Sequence, residues 1–220
     1  MEQDHRAASL QYWEETHKAQ GYARDRIRVD DWLDRFADVI GQTDKPVLDL
    51  GCGGGNDTLY LIEKGKPVIA CDQSETAIAN IQKNFPEVRE THCFNMLDPF
   101  PFADGSFEVV IADLCLHYFL EKETMQILRE IQRILLPGGH LIFRVNSVND
   151  IHHGAGKGTE VEHHVYETDA GTLKRFFDEA DIRRLFSEFQ IEYVHEEIMT
   201  RYQFEKRLFR GCVRKAEDHG

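Results

Sequence analysis

Short apolar runs alternate with amphipathic segments between residues 46 and 146. The runs DKPVLDL, KPVIACD, FEVVIAD and HLIFRVN, with a weaker one at RETHCF, have the composition of buried strands. The segments between them repeat apolar side chains every three or four residues, as an α-helix does. Strands that alternate with helices form parallel βαβ units, so we predict a parallel sheet covered on both faces, with right-handed crossovers.

Capping residues mark the ends of these helices. Ser74 is the predicted N-cap of the helix in SETAIANIQKNF. The helix in NDTLYLIEKG has Asn56 or Asp57 as its N-cap and Gly65 beyond its last turn. A longer helix is predicted over residues 121–136, where the PGG segment stops it.

The flanking regions have different patterns. Residues 1–40 show two apolar stripes at helical spacing, one on each side of Gly21. Residues 147–168 form a polar loop rich in Gly and His, and residues 168–189 carry helical turns. QIEYVHEEIMT and KRLFRGCVRKA predict a closing antiparallel pair. We therefore predict one domain over 1–220, made of a helical lid (1–40), a ligand-binding core (46–146) and a substrate loop, helix and closing β-hairpin (147–220).

Charge and composition narrow the possible partners and location. The 39 acidic and 26 basic side chains give a net charge of −13, which repels phosphate backbones and disfavours a nucleic-acid partner. The five cysteines lack a Cys-x-x-Cys pair, as expected of reduced thiols in a reducing compartment. Neither a membrane-spanning apolar run nor a signal-peptide core is found, so we expect a cytoplasmic protein without membrane contact.

Four histidines in the polar loop raise the question of a metal site. His152 and His153 are neighbours in sequence, as are His163 and His164, and no cysteine lies nearby. Neither pair has the i,i+4 spacing that places two ligands on one face of a helix. We predict no metal and interpret the loop as facing the substrate, because long loops in compact domains are usually functional.

The glycine-rich turn in VLDLGCGGG follows the first predicted strand and precedes a helix. A dinucleotide site needs G-x-G-x-x-G, but the third glycine is Asn56 when counted from Gly51 and Thr58 when counted from Gly53. Asp49 lies two residues before the first glycine. At about 6 Å and an effective dielectric near 20, each pair of like charges costs roughly 2–3 kcal/mol. A carboxylate here therefore favours a ligand with positive charge over a pyrophosphate.

Four motifs resemble those of the class I S-adenosylmethionine-dependent methyltransferases, in the same order and spacing. VLDLGCGGG resembles the first motif of this family, and VIACDQS ends its second strand in an acidic residue, Asp72. FPFADGSFEVVIADLCLHYF and RILLPGGHLIF resemble the segments around its fourth and fifth strands. The resemblance covers residues 46–146. It implies an α/β, Rossmann-like three-layer α/β/α sandwich whose seven-stranded, mostly parallel sheet has the order 3-2-1-4-5-7-6, with strand 7 antiparallel.

The resemblance also implies a cofactor, S-adenosyl-L-methionine, with S-adenosyl-L-homocysteine as the product, and residues that bind it. Asp72 is expected to bind both ribose hydroxyls, and Asp49 to orient the turn and favour the amino group. Asn95 and Met96 are expected at the adenine, where the family usually has Asp; Asp98 is the alternative partner. The predicted cofactor residues are Asp49, Gly51, Cys52, Gly53, Gly55, Asp72, Gln73, Asn95, Met96, Asp113 and Leu114.

The sequence defines less well the residues that contact the methyl acceptor, the molecule that receives the methyl group. His117 is the candidate general base, since an unperturbed imidazole titrates near neutrality. The alternative is that LHYF only begins a helix and packs. Methyl transfer also proceeds without a base when the nucleophile is aligned and water is excluded. The predicted substrate contacts are Trp13, Tyr22, Tyr118, Arg144 and Asn146.

We therefore expect a methyltransferase that acts on a small molecule, with the N, O or S acceptor left open. DLCL lacks the prolines that base-modifying amino-methyltransferases carry after the fourth strand. The alternatives are a binding protein for the cofactor without transferase activity, and a methyltransferase that acts on protein or RNA. The failed glycine spacing argues against an NAD-dependent oxidoreductase. The oligomeric state stays open.

Overall fold

The computed structural model describes residues 5–200 and 202–217. The first four residues of the predicted helical lid lie outside this part of the chain. Ten strands are described: β1 (Val47–Leu50), β2 (Val68–Asp72), β3 (Glu90–Cys93), β4 (Phe107–Asp113), β5 (Leu135–Asn146), β6 (Thr159–Glu162), β7 (Val165–Glu167), β8 (Leu173–Arg175), β9 (Gln190–Met199) and β10 (Lys206–Arg214). The described α-helices are α1 (His5–Gln20), α2 (Ala37–Gln42), α3 (Asn56–Glu63), α4 (Glu75–Asn84), α5 (Glu121–Ile134) and α6 (Glu179–Leu185).

Seven strands form the main sheet in the order β3-β2-β1-β4-β5-β10-β9. The first five run parallel, and β10 is antiparallel to both β5 and β9. With β9 and β10 as the sixth and seventh strands, this is the predicted order 3-2-1-4-5-7-6. The fold is a Rossmann-like three-layer sandwich, as predicted. Among the described helices, none combines the length and apolar character that a membrane span needs.

Apolar burial on both faces of the sheet explains why its strands are nearly continuous apolar runs. On one face, Ile127, Ile131 and Ile134 of α5 pack against the sheet and are fully buried. On the other face, Trp32 and Phe36 belong to a cluster that covers β1 and β4. The predicted helix at α4 has its N-cap as expected, since Ser74 Oγ accepts from the N–H of Ala77 at 3.1 Å.

The flanking regions differ from the sequence-based expectation. Residues 1–40 are not helical throughout, because α1 ends at Gln20, Gly21 follows with φ +48°, and the second apolar stripe adopts 3₁₀ turns over Asp31–Phe36 before α2. The polar segment 147–168 is not wholly a loop. It carries β6 and β7, and β8 lies in the segment expected to be helical, so that a second, antiparallel sheet has the order β6-β7-β8. The pairing between strands outweighs local helical propensity there.

Close packing between β5 and β10 yields a stability prediction. Gly211 lies opposite Phe143, whose ring stacks on Phe186 with centroids 4.4 Å apart. A Cβ at Gly211 would lie 2.2 Å from Phe143 Cζ, so Gly211→Ala must displace a fully buried ring. We expect a loss of about 1–3 kcal/mol in the free energy of unfolding, measured by urea denaturation.

Gly41→Ala is the matched control for this substitution. Gly41 lies in α2, and nothing is within 4 Å of the added methyl group. Because alanine is the better helix former, we expect unchanged or slightly higher stability. If Gly211→Ala is as stable as wild type and Gly41→Ala, Phe143 is free to move aside.

Candidate functional site

A cavity of about 380 Å³ lies at the carboxyl ends of β1, β2 and β4. This edge of a parallel sheet is where ligands bind in open α/β folds. Side chains of α1 and of the small sheet also line it. Twelve of the predicted site residues line this cavity, namely Gly51, Cys52, Gly53, Asp72, Gln73, Met96, Asp113, Leu114, His117, Trp13, Tyr22 and Tyr118. The five that do not are Asp49, Gly55, Asn95, Arg144 and Asn146.

The glycine turn after β1 brings its backbone against the cavity. The N–H groups of Gly51 and Cys52 both donate to the carbonyl of Cys71 on β2, at 2.8 and 2.9 Å. Gly51 has φ +74°, and a Cβ there would lie 2.7 Å from Cys115 Cβ. Only glycine fits this position without strain and leaves the wall open to a ligand.

Asp72 faces the cavity from the end of β2. One carboxylate oxygen accepts from the N–H of Gly53 at 3.0 Å and the other from the N–H of Ser74 at 2.9 Å. These bonds join the glycine turn to the start of α4 and fix the carboxylate. A carboxylate oxygen accepts more than one hydrogen bond, so both oxygens retain capacity for ligand hydroxyls. Burial raises the pKa of Asp72, with hydrogen bonds and His17 opposing the shift.

Asp49 lies behind the wall of the cavity and does not line it. This position differs from the predicted contact with a ligand. Its side chain is 1% exposed, and it accepts a hydrogen bond from Thr58 Oγ1 on α3. Burial raises its pKa to about 7, and the nearby Asp113 and Asp72 carboxylates add to the shift. Through Thr58 the residue anchors the turn from beneath, in line with the first part of its predicted role; its effect on the amino group stays a prediction.

Gly55 and Asn95 also have structural contacts in place of the predicted exposure to a ligand. Gly55 has φ +85° and precedes α3, where a Cβ would meet the Phe85 ring at 2.6 Å. Asn95 donates to Gln73 Oε1 at 2.8 Å and accepts from the N–H of Leu97 at 2.9 Å. One donor and one acceptor position of the amide are thus used within the protein, and the neighbouring Met96 reaches the cavity.

The alternative adenine partner, Asp98, does not line the cavity either. Its carboxylate forms an ion pair with Arg6 at 2.5 Å, and both side chains are close to half exposed. This pair links the start of α1 to the loop after β3.

Arg144 lies beneath the cavity and positions Asp113. The guanidinium binds Asp113 in a bidentate pair at 2.6 and 2.7 Å and donates to Asp30 at 3.1 Å. It also stacks over the Trp32 ring at 4.4 Å. With 4% exposure and these partners, Arg144 does not reach the cavity, in contrast to the predicted substrate contact.

Asp57 is a second buried carboxyl at this edge, and the sequence suggested it only as a helix cap. It lines the cavity and accepts from Trp32 Nε1 at 2.8 Å. Burial raises its pKa well above the usual value, and Asp113 and Asp49 add to the shift, while Arg144 opposes it. Four carboxyl groups (Asp49, Asp57, Asp72 and Asp113) thus surround one side of the cavity.

The turn after β4 has a strained backbone. Leu114 has φ +51°, a left-handed conformation that costs a branched residue energy, and its N–H donates to the carbonyl of Arg144 at 3.0 Å. Such conformations concentrate at functional sites. The next residue, Cys115, donates from Sγ to the carbonyl of Leu50, and burial raises its pKa well above the usual value. It is therefore a protonated thiol and a poor nucleophile.

Aromatic side chains close the cavity on the side of α1. Trp13 packs edge-on against Tyr118, with ring centroids 5.3 Å apart, and stacks on His17 at 5.6 Å. Tyr22 lies against Gly54, where a Cβ would meet its ring at 2.5 Å. His17 is buried, and its Nδ1 has no partner among the described residues. The sequence placed His17 on the same helical face as Trp13 but did not predict its place in the cavity wall.

His117 is buried beside two lysines. Burial lowers its pKa well below the usual value, and Lys206 and Lys174 add to the shift, so that the ring is neutral at pH 7. Its backbone carbonyl accepts from the N–H of Arg175 at 2.7 Å, which fixes β8 against the site. A neutral imidazole is in the protonation state that a proton acceptor needs.

Lys174 and Lys206 line the cavity although nothing in the sequence pattern singled them out. Lys206 donates to Asn146 Oδ1 at 2.6 Å and to Asp150 Oδ2 at 3.0 Å. Asn146 was a predicted substrate contact, but it is fully buried and holds this lysine in place. The two lysines come from β8 and β10, which the chain brings together only in three dimensions.

The histidine-rich segment has two separate environments. His153 lines the cavity. Nitrogen atoms of His163 and His164 and a carboxylate oxygen of Asp181 lie within 4.8 Å of one another, outside the residues that line the cavity. Asp181 also accepts from His164 at 2.7 Å and pairs with Arg184 at 3.0 Å. The expectation that this chain binds no metal stays a prediction.

The raised pKa of Asp49 predicts a pH dependence of stability. In the unfolded chain this carboxyl loses its proton near pH 4, whereas the folded protein retains it to about pH 7. The folded state therefore binds more protons over this interval, and its stability falls as pH rises, by at most about 1.4 kcal/mol per pH unit. Asp49→Asn removes this contribution. We expect the stability of the variant relative to wild type to increase between pH 5 and pH 8, measured by urea unfolding.

The control is Asp44→Asn, at an exposed position. Its stability relative to wild type should stay constant across the same range. A constant difference for Asp49→Asn as well would show that Asp49 ionises in the folded protein at the pH of an ordinary carboxyl.

Sequence comparison assigns residues 48–143 to the family described as methyltransferase domain. An uncharacterized methyltransferase of Synechocystis is 34% identical over 93 residues, which cover 42% of this chain and 43% of that protein. A malonyl-[acyl-carrier protein] O-methyltransferase of Halorhodospira halophila is 29% identical over 80% of this chain and 56% of its own length. Other matches are named as tRNA N(3)-methylcytidine methyltransferases, one from Schizosaccharomyces pombe at 27% identity. The chain spans about half of the length of the first two relatives.

Solved structures share the fold. A 1,6-didemethyltoxoflavin-N1-methyltransferase of Burkholderia thailandensis, solved with its substrate and S-adenosylhomocysteine, superposes with a TM-score of 0.70. The two are 19% identical, and the match covers 96% of this chain and 89% of that one. Residues 48–143 thus carry a methyltransferase domain, and the strand order and the motifs at the glycine turn and Asp72 are those of the class I S-adenosylmethionine-dependent methyltransferases.

Proposed function

We propose that the protein transfers a methyl group from S-adenosylmethionine to a small-molecule acceptor. The observation that carries this proposal is that the glycine turn and Asp72 line the same cavity as a group of aromatic and basic side chains. At about 380 Å³, the cavity is in the range of small-ligand sites. The cytoplasmic location is part of the same proposal.

The residues that line the cavity fit the cofactor. The open backbone at Gly51 is a cradle that a Cβ would fill, and Asp72 offers two fixed carboxylate oxygens to a pair of hydroxyls. The surrounding carboxyl groups favour a ligand with positive charge. When bound, the cofactor supplies an electrophilic methyl group on a positively charged sulfur.

The remaining residues prepare the acceptor. Trp13, Tyr22 and Tyr118 exclude water from the chamber and restrict how an acceptor enters it. His117 is neutral, its Nδ1 has no partner among the described residues, and it is suited to form a hydrogen bond with the acceptor. We infer a positioning mechanism, in which aligned groups and the exclusion of water contribute most of the rate and proton transfer is secondary.

An RNA acceptor is the second candidate, because some relatives are named as tRNA methyltransferases. The net charge of −13 and the enclosed position of Lys206, which is 6% exposed, favour the small molecule. Phosphate backbones are bound by basic side chains on an accessible surface.

Methyl transfer is tested with radiolabelled S-adenosylmethionine and three acceptor fractions: a metabolite extract, total tRNA and a protein extract. We expect the label in the metabolite fraction. Label in tRNA or protein would instead establish the second type of acceptor. Binding of S-adenosylhomocysteine with no label in any fraction would identify a binding protein without transferase activity.

Asp72→Ala tests the cofactor site directly. Loss of a charged acceptor for two hydroxyls should weaken S-adenosylhomocysteine binding by roughly 2–3 kcal/mol, or about 30- to 150-fold, measured by calorimetry. Asp98→Ala is the matched control and should bind normally, since its ion pair with Arg6 is exposed. If Asp98→Ala proves to be the weak binder, the assignment of the two carboxylates is wrong. NADH should not bind to either variant or to wild type.

A further inference from the structure

The cavity is lined by acidic side chains from one set of elements and by basic side chains from another. Asp72 and Asp113 line it from the ends of β2 and β4 and Asp57 from the first turn of α3, whereas Lys174 and Lys206 line it from β8 and β10. The cationic wall is notable in a chain with a net charge of −13. The carboxyl groups suit the two cationic groups of the cofactor, the sulfonium and the ammonium, whereas the lysines suit an anionic group.

Lys174 retains hydrogen-bonding capacity. Its ammonium donates to the carbonyl of His153 at 2.6 Å and lies 5.4 Å from the centre of the Phe176 ring. Among the described residues, no carboxylate lies within ion-pair distance of it. An ammonium has three N–H donors, so two remain for a ligand. Burial and the nearby Lys206 lower the pKa of Lys174 to about 8, while Asp150 opposes the shift, so the group is charged at neutral pH.

Lys206 is held in a fixed position. Asn146 and Asp150 each accept one of its hydrogen bonds, and both acceptors are buried. The third donor has no partner among the described residues, and the side chain lines the cavity. Asp150 neutralises one of the two lysines, which leaves a net positive charge at this wall.

His117 completes the wall with a neutral polar group. It is 1% exposed, its ring lies 4.3 Å from that of Tyr118 between centroids, and its Nδ1 has no partner among the described residues. A buried nitrogen without a partner costs free energy. In the tautomer that carries its proton on Nδ1, the neutral ring offers a third hydrogen-bond donor to an anion that reaches the lysines.

We propose that Lys174, Lys206 and His117 form a subsite for an anionic group, a carboxylate or a phosphate, on the methyl acceptor. This inference rests on the proposed function, because it assigns the second ligand of the same cavity. An anion at this wall removes the repulsion between the two ammonium groups and satisfies their free donors. It also binds away from the carboxyl groups, so the charge pattern sets the orientation of the acceptor relative to the cofactor.

The test measures anion binding without requiring methyl transfer. The full chain is saturated with S-adenosylhomocysteine and titrated with inorganic phosphate or with acetate, at constant ionic strength in chloride, while the melting temperature is followed. We expect saturable stabilisation by at least one of the two anions. Phosphate alone would indicate a phosphorylated acceptor, and acetate alone a carboxylic acid.

Lys174→Met is the decisive variant. It removes a charge that has no carboxylate partner among the described residues, so we expect it to fold. Its affinity for the anion should fall at least about tenfold, whereas its affinity for S-adenosylhomocysteine stays unchanged. Lys174→Arg keeps the charge and should retain anion binding. Lys122→Met, at an exposed position on α5, is the control and should behave as wild type.

Two outcomes would overturn the subsite: absence of saturable stabilisation in wild type, or equal stabilisation of wild type and Lys174→Met. Either result leaves the cofactor site and methyl transfer intact. Conversely, suppose that wild type transfers no methyl group and still binds the anion, while Lys174→Met does not bind it. That result would support the subsite and contradict the proposed function. The two inferences therefore fail in distinguishable ways.

Discussion

The burial of carboxyl groups at the ends of β1, β2 and β4 is the constraint on which this site depends. Asp49 and Asp57 are almost fully buried, and burial raises the pKa of both. Arg144 opposes part of this cost through its bidentate pair with Asp113, and the Trp32 ring covers its guanidinium. Well-packed apolar side chains are often as stable as a buried ion pair or more so. Such a cluster is therefore poorly explained by stability and well explained by a cationic ligand above it.

The same constraint organises the rest of the cavity. Because the carboxyl groups make one side of it acidic, cationic side chains on another wall create a gradient of charge across a small enclosed volume. Lys174 and Lys206 provide that opposite wall from strands distant in sequence, and Asn146 and Asp150 hold the second of them. In a low-dielectric chamber such differences act strongly, since solvent screens them little. Two ligands of opposite charge are thereby directed to different places.

Much of the fold followed from the sequence, because the central parallel strands β1, β2 and β4 are buried on both faces and consist mainly of apolar residues, whereas the edge strand β3 gives a weaker signal. The strand order and the closing antiparallel pair are as predicted. The site was predicted less completely, because a motif gives the residues near a ligand but not which side of the wall each faces. Arg144 lies at the end of a strand like a ligand residue, yet it pairs with Asp113 behind the cavity. Lys174 lies in a three-residue strand, β8, which forms only through pairing with β7, and no local pattern indicates it.

The helix α1 covers the cavity with little buried apolar surface of its own. His17 is the only residue of α1 that is buried, and Leu10 and Tyr12 are more than 40% exposed. Hydrogen bonds join the helix to α4 and to the turn that precedes α4. Thr76 donates to Glu14, and Gln73 donates to Ser9. Separating such an element exposes little apolar surface, so the free-energy cost is lower than for a helix with a buried apolar face. Polar contacts, rather than a buried apolar face, therefore hold the helix that covers the cavity.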